Sequence, residues 1–265
     1  MIRPGLCSVT FRPATPREIV GWVREAGLAS IEWGGDKHVP PADLANARAV
    51  GEMTRQAGLA VASYGSYYRL AGVRPQAPFE EVVAAASALG APLIRVWAGE
   101  KDAAEATEAD WSAVAADALR CADLAAAAGC QLGFEWHGET LASGNANARR
   151  LLDLTLHPAI TAYWQPENGR EPDYCLEGLR ENLARISQIH VFHWFPTAAE
   201  RNPLAAGADR WRAYLAAVSA SGRDHDALLE FVKGDAPEQF AADAQTLLEL
   251  LELSALPAPL ASPQR

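Results

Sequence analysis

The apolar positions along the chain follow two alternating rhythms. Short runs rich in Val, Ile, Leu and aromatic residues are each followed by a longer stretch with helical spacing. The runs predict strands at Gly5–Phe11, Ser30–Trp33, Leu59–Tyr64, Pro92–Trp97, Gln131–Trp136, Ile160–Trp164, Ile186–Trp194 and Ala227–Val232. Between and after them, helical patterns run from about Thr15 to Ala26, Pro41 to Ala57, Pro78 to Leu89, Ala109 to Ala128, Asn145 to Leu154, Leu176 to Ala184, Ala208 to Ser219 and Pro237 to Leu253. Thr15-Pro16 has the chemistry of a helix start, and Gly27 and Gly58 that of helix ends.

Eight strand-then-helix units imply a parallel sheet, and at roughly 33 residues per unit each is long enough for a βαβ crossover, which needs about 30. Eight such units close into a (β/α)8 TIM barrel, so the expected fold class is α/β with a closed eight-stranded parallel sheet. The rival is an open doubly wound sheet. It would carry a glycine-rich loop after the first strand, where this chain has Phe11-Arg12-Pro13-Ala14. No composition break interrupts the series, so the expectation is one barrel domain over residues 1–254 and a loose Pro- and Ala-rich tail over 255–265.

Composition narrows the function. With 49% hydrophobic and 21% charged residues the 265-residue chain reads as globular rather than disordered. A net charge of −10 argues against nucleic-acid and anionic-membrane partners, both of which need a basic face. MIRPGLCSVTF has no long apolar core like a secretory signal's, no stretch is apolar enough to span a membrane, and the four cysteines lack CxxC pairing. These features lead us to expect a cytoplasmic protein with reduced, buried thiols. No G-x-S-x-G, H-E-x-x-H or phosphate-loop motif is present.

In a barrel of this kind, chemistry gathers at the C-terminal ends of the strands. Those ends carry Glu32-Trp33, Tyr64 to Tyr68, Arg95 with Trp97, Glu135-Trp136-His137, Trp164 to Asn168, His190 with His193-Trp194, and Glu230. Glu135, Gln165, His190 and Glu230 come from four neighbouring strands, and their oxygen and imidazole donors suit one divalent ion such as Mn²⁺, Mg²⁺, Co²⁺ or Zn²⁺. Glu167 is the alternative ligand of the sixth strand, and His190 is preferred to His193 for its Ile-His-Val setting. His193, Trp136, Arg95, Tyr67, His38 and Asn168 are the candidates for holding substrate. His157 and His225 fall in connections at the opposite end. Five Trp residues at strand ends (Trp33, Trp97, Trp136, Trp164 and Trp194) are expected to wall a pocket suited to the C–H faces of a sugar.

Gly133-Phe134-Glu135, Gln165 to Asn168, Ile189-His190-Val191 and Leu229-Glu230-Phe231 resemble the metal-binding strand ends of the xylose-isomerase-like TIM barrels, the sugar phosphate isomerases and epimerases. The likeness implies a one-metal enzyme in which Glu135 and Glu230 are both ligands and the acid/base pair. Strand six departs from the family pattern, which has Asp, two residues, then His; Gln165 and Asn168 stand at those places. The resemblance implies a divalent-metal-dependent isomerase or epimerase acting on a small ketose, aldose or hydroxy-ketone through an enediolate, in a family whose members are often homo-oligomers. The alternatives are a lyase or dehydratase on a keto-sugar or inositol-like polyol, and a non-catalytic sugar-binding barrel.

Overall fold

The computed structural model describes residues 1–254; the expected tail over 255–265 lies outside them. Eight parallel strands close into a barrel: β1 (Ile2–Cys7), β2 (Ser30–Gly34), β3 (Ala60–Arg69), β4 (Leu93–Trp97), β5 (Gln131–Glu135), β6 (Ile160–Trp164), β7 (Ile186–Val191) and β10 (His225–Leu229). A two-stranded ladder, β8 (His193–Trp194) with β9 (Arg201–Asn202), interrupts the series after β7. The helices are α1 (Pro16–Glu25), α2 (Leu44–Gln56), α3 (Phe79–Leu89), α4 (Glu108–Ala127), α5 (Asn145–Leu154), α6 (Pro172–Asn182), α7 (Ala208–Ser219) and α8 (Pro237–Ser254). Thr15 and Thr107 close capping boxes with Glu18 and Asp110, which fixes where α1 and α4 begin. Among the described residues no helix is long and apolar enough to cross a membrane.

The two-residue period of the strands splits the core in two. Leu6, Ile31, Trp33, Ile94, Val96, Leu132, Phe134, Ile189, Val191, Ala227 and Leu229 face the helices and join one large apolar cluster. Cys7, Val9, Ala62 and Leu228 form a small separate cluster inside the barrel. The inward positions left over are polar, and they are where the chemistry lies.

Four local features depart from the sequence pattern. The first strand ends at Cys7, and Ser8–Phe11 turn into a buried 3₁₀ segment whose Ser8 hydroxyl accepts the Gly34 N–H at 2.9 Å. The third strand continues to Arg69 through an irregularity in its pairing with β4, where the Ser66 hydroxyl donates to the Arg95 carbonyl and Tyr67 adopts φ 59°. The seventh stops at Val191, because the next carbonyl, that of Phe192, accepts from the Trp211 indole of α7 at 2.8 Å. The eighth begins at His225 and ends at Leu229; Glu230 follows it and donates its N–H to the Val191 carbonyl at 3.0 Å.

Candidate active site

At the C-terminal mouth of the barrel, side chains from β2, β4, β5, β7 and the ends of β6 and β10 converge in a polar cluster almost wholly cut off from solvent. Glu32, Arg95, Glu135, His190 and Glu230 are each no more than 6% exposed. The Arg95 guanidinium stands 3.1 Å from Glu135, 3.4 Å from Glu32 and 3.9 Å from Glu230. A cation so buried holds its charge only because three carboxylates surround it. Gly65 of β3 makes the arrangement possible, since a Cβ there would fall 2.9 Å from Glu32 Oε1 and 3.1 Å from Arg95 Nη2.

His190 is the second hub. Its Nδ1 lies 3.1 Å from Gln165 Oε1, 3.4 Å from Glu135 Oε1 and 3.5 Å from Glu230 Oε2. Its Nε2 has no hydrogen-bond partner, the nearest carboxylate oxygen being Glu32 Oε1 at 3.8 Å. Donors bonded at about 2.1 Å to one ion, 90–110° apart, would stand about 3.0–3.4 Å from one another. The separations around Nδ1, 3.1–3.5 Å, come within about 0.1 Å of that spacing. Three carboxylates facing one guanidinium also leave negative charge that a divalent cation would balance. The donor set therefore fits a metal ion.

The two cavity-facing carboxylates differ. Burial acts to raise the pKa of Glu135, but Arg95 and His190 more than offset it and hold the group well below the ordinary carboxylate range. Its Oε2 also accepts from the Trp97 indole. Glu230 is raised by burial and by the charge of Glu135, with His190 acting in the opposite sense. Its oxygens lie farther from Arg95 than those of Glu135 do. Glu32 resembles Glu135: burial is outweighed by Arg95 and His190, and its net shift is downward.

Above the cluster opens a cavity of about 440 Å³ lined by Arg12, Tyr67, Arg95, Trp97, Glu135, His137, Gly138, Glu139, Gln165, Asn168, Trp194, Ala198, Glu230 and Phe231. Tyr67 and Asn168, two of the residues expected to hold substrate, both line it. Arg95 reaches the cavity floor, but its guanidinium is taken up by carboxylates and by the face of Tyr67, 4.9 Å away. Glu167 turns away from the cluster and pairs with Arg170 at 3.0 Å, leaving Gln165 as the strand-six side chain beside His190.

The other expected substrate contacts are placed elsewhere. His193 packs beneath Gly207, where a Cβ would come within 2.5 Å of its Nδ1, because alternation along β8 gives the cavity side to its neighbour Trp194. His38 is buried against Trp33, with Nδ1 3.0 Å from the Ser8 hydroxyl. Trp136 lines a smaller adjoining cavity of about 260 Å³. Of the five strand-end tryptophans, Trp97 and Trp194 wall the main cavity. Trp33 and Trp164 point outward, the first donating to Thr54 of α2 at 3.1 Å and the second packing on Trp211 and Tyr214 of α7. Glu32 being inward forces Trp33 outward by strand alternation. His225 is the first residue of β10 rather than part of a connection.

Sequence reasoning put Glu32 at the rim without giving it a role, and left Cys7, Arg12 and Phe231 out of the site. Glu32 could have been placed inward by the same alternation, since Ile31 and Trp33 are the apolar pair flanking it. Nothing local marks Arg12, which reaches the cavity by pairing with Asp36 at 2.8 Å and donating to the Tyr67 hydroxyl at 2.9 Å.

The family model for the xylose isomerase-like TIM barrel matches residues 20–250. Solved structures of similar fold include the probable 3-DHS dehydratase AsbF from Bacillus anthracis, involved in petrobactin synthesis (TM-score 0.76, 17% identity, 94% of this chain and 99% of that chain). An L-ribulose 3-epimerase aligns with TM-score 0.72 and 18% identity over 96% of each chain. A D-allulose 3-epimerase from a Methylomonas species aligns with TM-score 0.68 and 15% identity, over 96% of this chain and 98% of that one. No curated protein sequence matches the chain.

Proposed function

Because the chain belongs to the xylose isomerase-like TIM-barrel family, we propose that it is a divalent-metal-dependent isomerase or epimerase of a small ketose, aldose or hydroxy-ketone. The observation that carries this reading is the convergence of Gln165, Glu135 and Glu230 oxygens on His190 Nδ1, at 3.1–3.5 Å, on the floor of an aromatic-walled cavity. Glu135, Gln165, His190 and Glu230 would hold the ion, which when bound supplies Lewis-acid polarisation of a substrate carbonyl.

The protein's own groups divide the remaining work. Glu230, whose pKa is raised, is the group suited to hand a proton on: in an isomerisation it passes the proton from the carbon beside the carbonyl to the neighbouring carbon, and in an epimerisation it donates to the face opposite the one that lost its proton. Glu135, fixed by Arg95 and Trp97, stays ionised; it would be a standing charge in an isomerisation and the base on the face opposite Glu230 in an epimerisation. Tyr67, Trp97 and Trp194 offer flat faces to the C–H surface of a sugar, and Asn168 and His137 offer polar atoms to its hydroxyls.

The same asymmetry between the carboxylates supports a second reading. A single proton carrier also serves a lyase, which removes the proton beside a carbonyl and loses a β-hydroxyl as water. One experiment tests both readings. Metal content is measured for the parent, Glu135→Ala and His190→Ala, and the loaded parent is offered ketoses, aldoses and inositol-like polyols in D₂O. Deuterium entering beside the carbonyl with carbon connectivity kept is the expected result, and water loss to an unsaturated ketone selects the lyase. Glu135→Gln and Glu230→Gln variants that keep both metal and turnover would overturn the proposal.

A further inference from the structure

Beside the Gln165 and Glu135 oxygens near His190, the described residues hold a trio of His, Cys and carboxylate donors whose ligand atoms all lie within 4.8 Å of one another: Cys7, His190 and Glu230. They stand side by side on three adjacent barrel strands. β1 pairs with β10 so that Leu6 faces Leu229, and β10 pairs with β7 so that Leu228 faces His190. The next inward residues at the mouth are therefore Cys7 and Glu230. All three are buried, and Cys7 and His190 have no exposed surface.

Cys7 packs against the apolar side chains of Val9, Ala62 and Leu228, and His190, Glu32 and Glu230 also stand near it. The His190 side chain is fully buried, with the Gln165, Glu135 and Glu230 oxygens gathered around its Nδ1, and the Cys7 thiol lies within 4.8 Å of both a ring nitrogen and a Glu230 oxygen. Gln165 adds to the case, because the amide beside His190 Nδ1 brings no charge to an ion there, and a thiolate would.

We propose that Cys7 is a sulfur ligand of the ion held by His190 and Glu230, so that the site selects a thiophilic divalent cation such as Zn²⁺ or Co²⁺ over Mg²⁺. This rests on the metal reading above and adds to it a ligand and a preference. As the sulfur–metal bond forms, the Cys7 S–H bond breaks and its proton leaves to solvent. Soft sulfur raises affinity for Zn²⁺ and Co²⁺ and does little for Mg²⁺ or Mn²⁺, which prefer oxygen.

The test is spectroscopic and needs no turnover. The parent protein, loaded with Co²⁺, is expected to show a near-ultraviolet sulfur-to-cobalt charge-transfer band that Cys7→Ser lacks while its visible d–d bands persist. X-ray absorption of the Zn²⁺-loaded parent is expected to contain one sulfur neighbour at about 2.3 Å; this measurement uses no variant and so survives any folding defect of Cys7→Ser. Cys7→Ser is expected to bind Zn²⁺ on the order of tenfold more weakly or worse, with Mn²⁺ binding unchanged. Oxygen and nitrogen neighbours alone in the loaded parent would overturn the sulfur ligand and leave the metal reading standing. A parent that takes up no Zn²⁺ or Co²⁺ would overturn both.

Discussion

Arg95 Nη1 and Glu135 Oε2 lie 3.1 Å apart, with both side chains only 2% exposed. The pair lies in the interior of the barrel mouth, and the same guanidinium also faces Glu32 and Glu230. Removing it would leave three buried carboxylates opposed by His190 alone. Arg95→Met is therefore expected to destabilise the protein by about 3–5 kcal/mol, the range for breaking a buried ion pair from one side. Glu32→Gln in the same chain is expected to recover part of that loss, because it removes one of the unpaired charges. Chemical denaturation of the two variants and the parent measures both effects; a double variant no more stable than Arg95→Met alone would contradict the charge-balance account.

Gly65 owes its identity to this ion pair. Its added Cβ would meet Glu32 Oε1 at 2.9 Å and the Arg95 guanidinium at 3.1 Å, so Gly65→Ala has to push the charged groups apart. The expected outcome is a stability loss of about 1–3 kcal/mol, as for overpacked cores, accompanied by a loss of metal affinity. Gly21→Ala, with nothing within 4 Å of its added Cβ, is the control expected to retain affinity.

The fold and the cluster around His190 were legible for one reason, the strand period. Eight strand–helix units dictate a closed barrel, and a closed barrel aligns the strand ends, so Glu135, Gln165, His190 and Glu230 had to meet. What failed to show was direction where the period breaks. The Phe192 carbonyl is captured by Trp211 of α7, the strand ends, and in the ladder that follows it is Trp194 that faces the cavity while His193 packs under Gly207. The irregular pairing of β3 with β4 lifts Tyr67 into a left-handed conformation facing Arg95 and Trp97, which no local pattern foretells. Trp33 and Trp164 show the converse case: alternation, applied strictly, places them among the helices.

The thiols give a test that needs no assay of function. Burial pushes Cys7 up to about 12, does the same to Cys121, and raises Cys130 and Cys175 as well. A thiol at that value is almost wholly protonated at neutral pH and is a poor nucleophile. All four cysteines are buried and free. The expected result is negligible alkylation of the native protein at pH 8 and four modified thiols in denaturant. Rapid modification of a cysteine in the native state would contradict the packing described for it.

The start of α4 supplies the pH dependence. Asp110 receives the Lys101 ammonium at 2.8 Å and closes the Thr107 capping box, and its pKa is lowered from 3.8 to about 2, with the Lys101 hydrogen bond the largest cause. A carboxylate whose folded pKa is depressed stabilises the fold fully above the unfolded value of 3.8, and the contribution is lost as pH falls through about 2. Asp110→Asn should thus melt below the parent by a constant margin at neutral pH. The margin should begin to shrink below about pH 4 and close near pH 2. Because the Lys101 contact is solvent-exposed, added salt should narrow the margin at neutral pH as well. A difference in melting temperature that stays constant from neutral pH to pH 2 would show that Asp110 stabilises the helix through its shape at the cap, with no contribution from its charge.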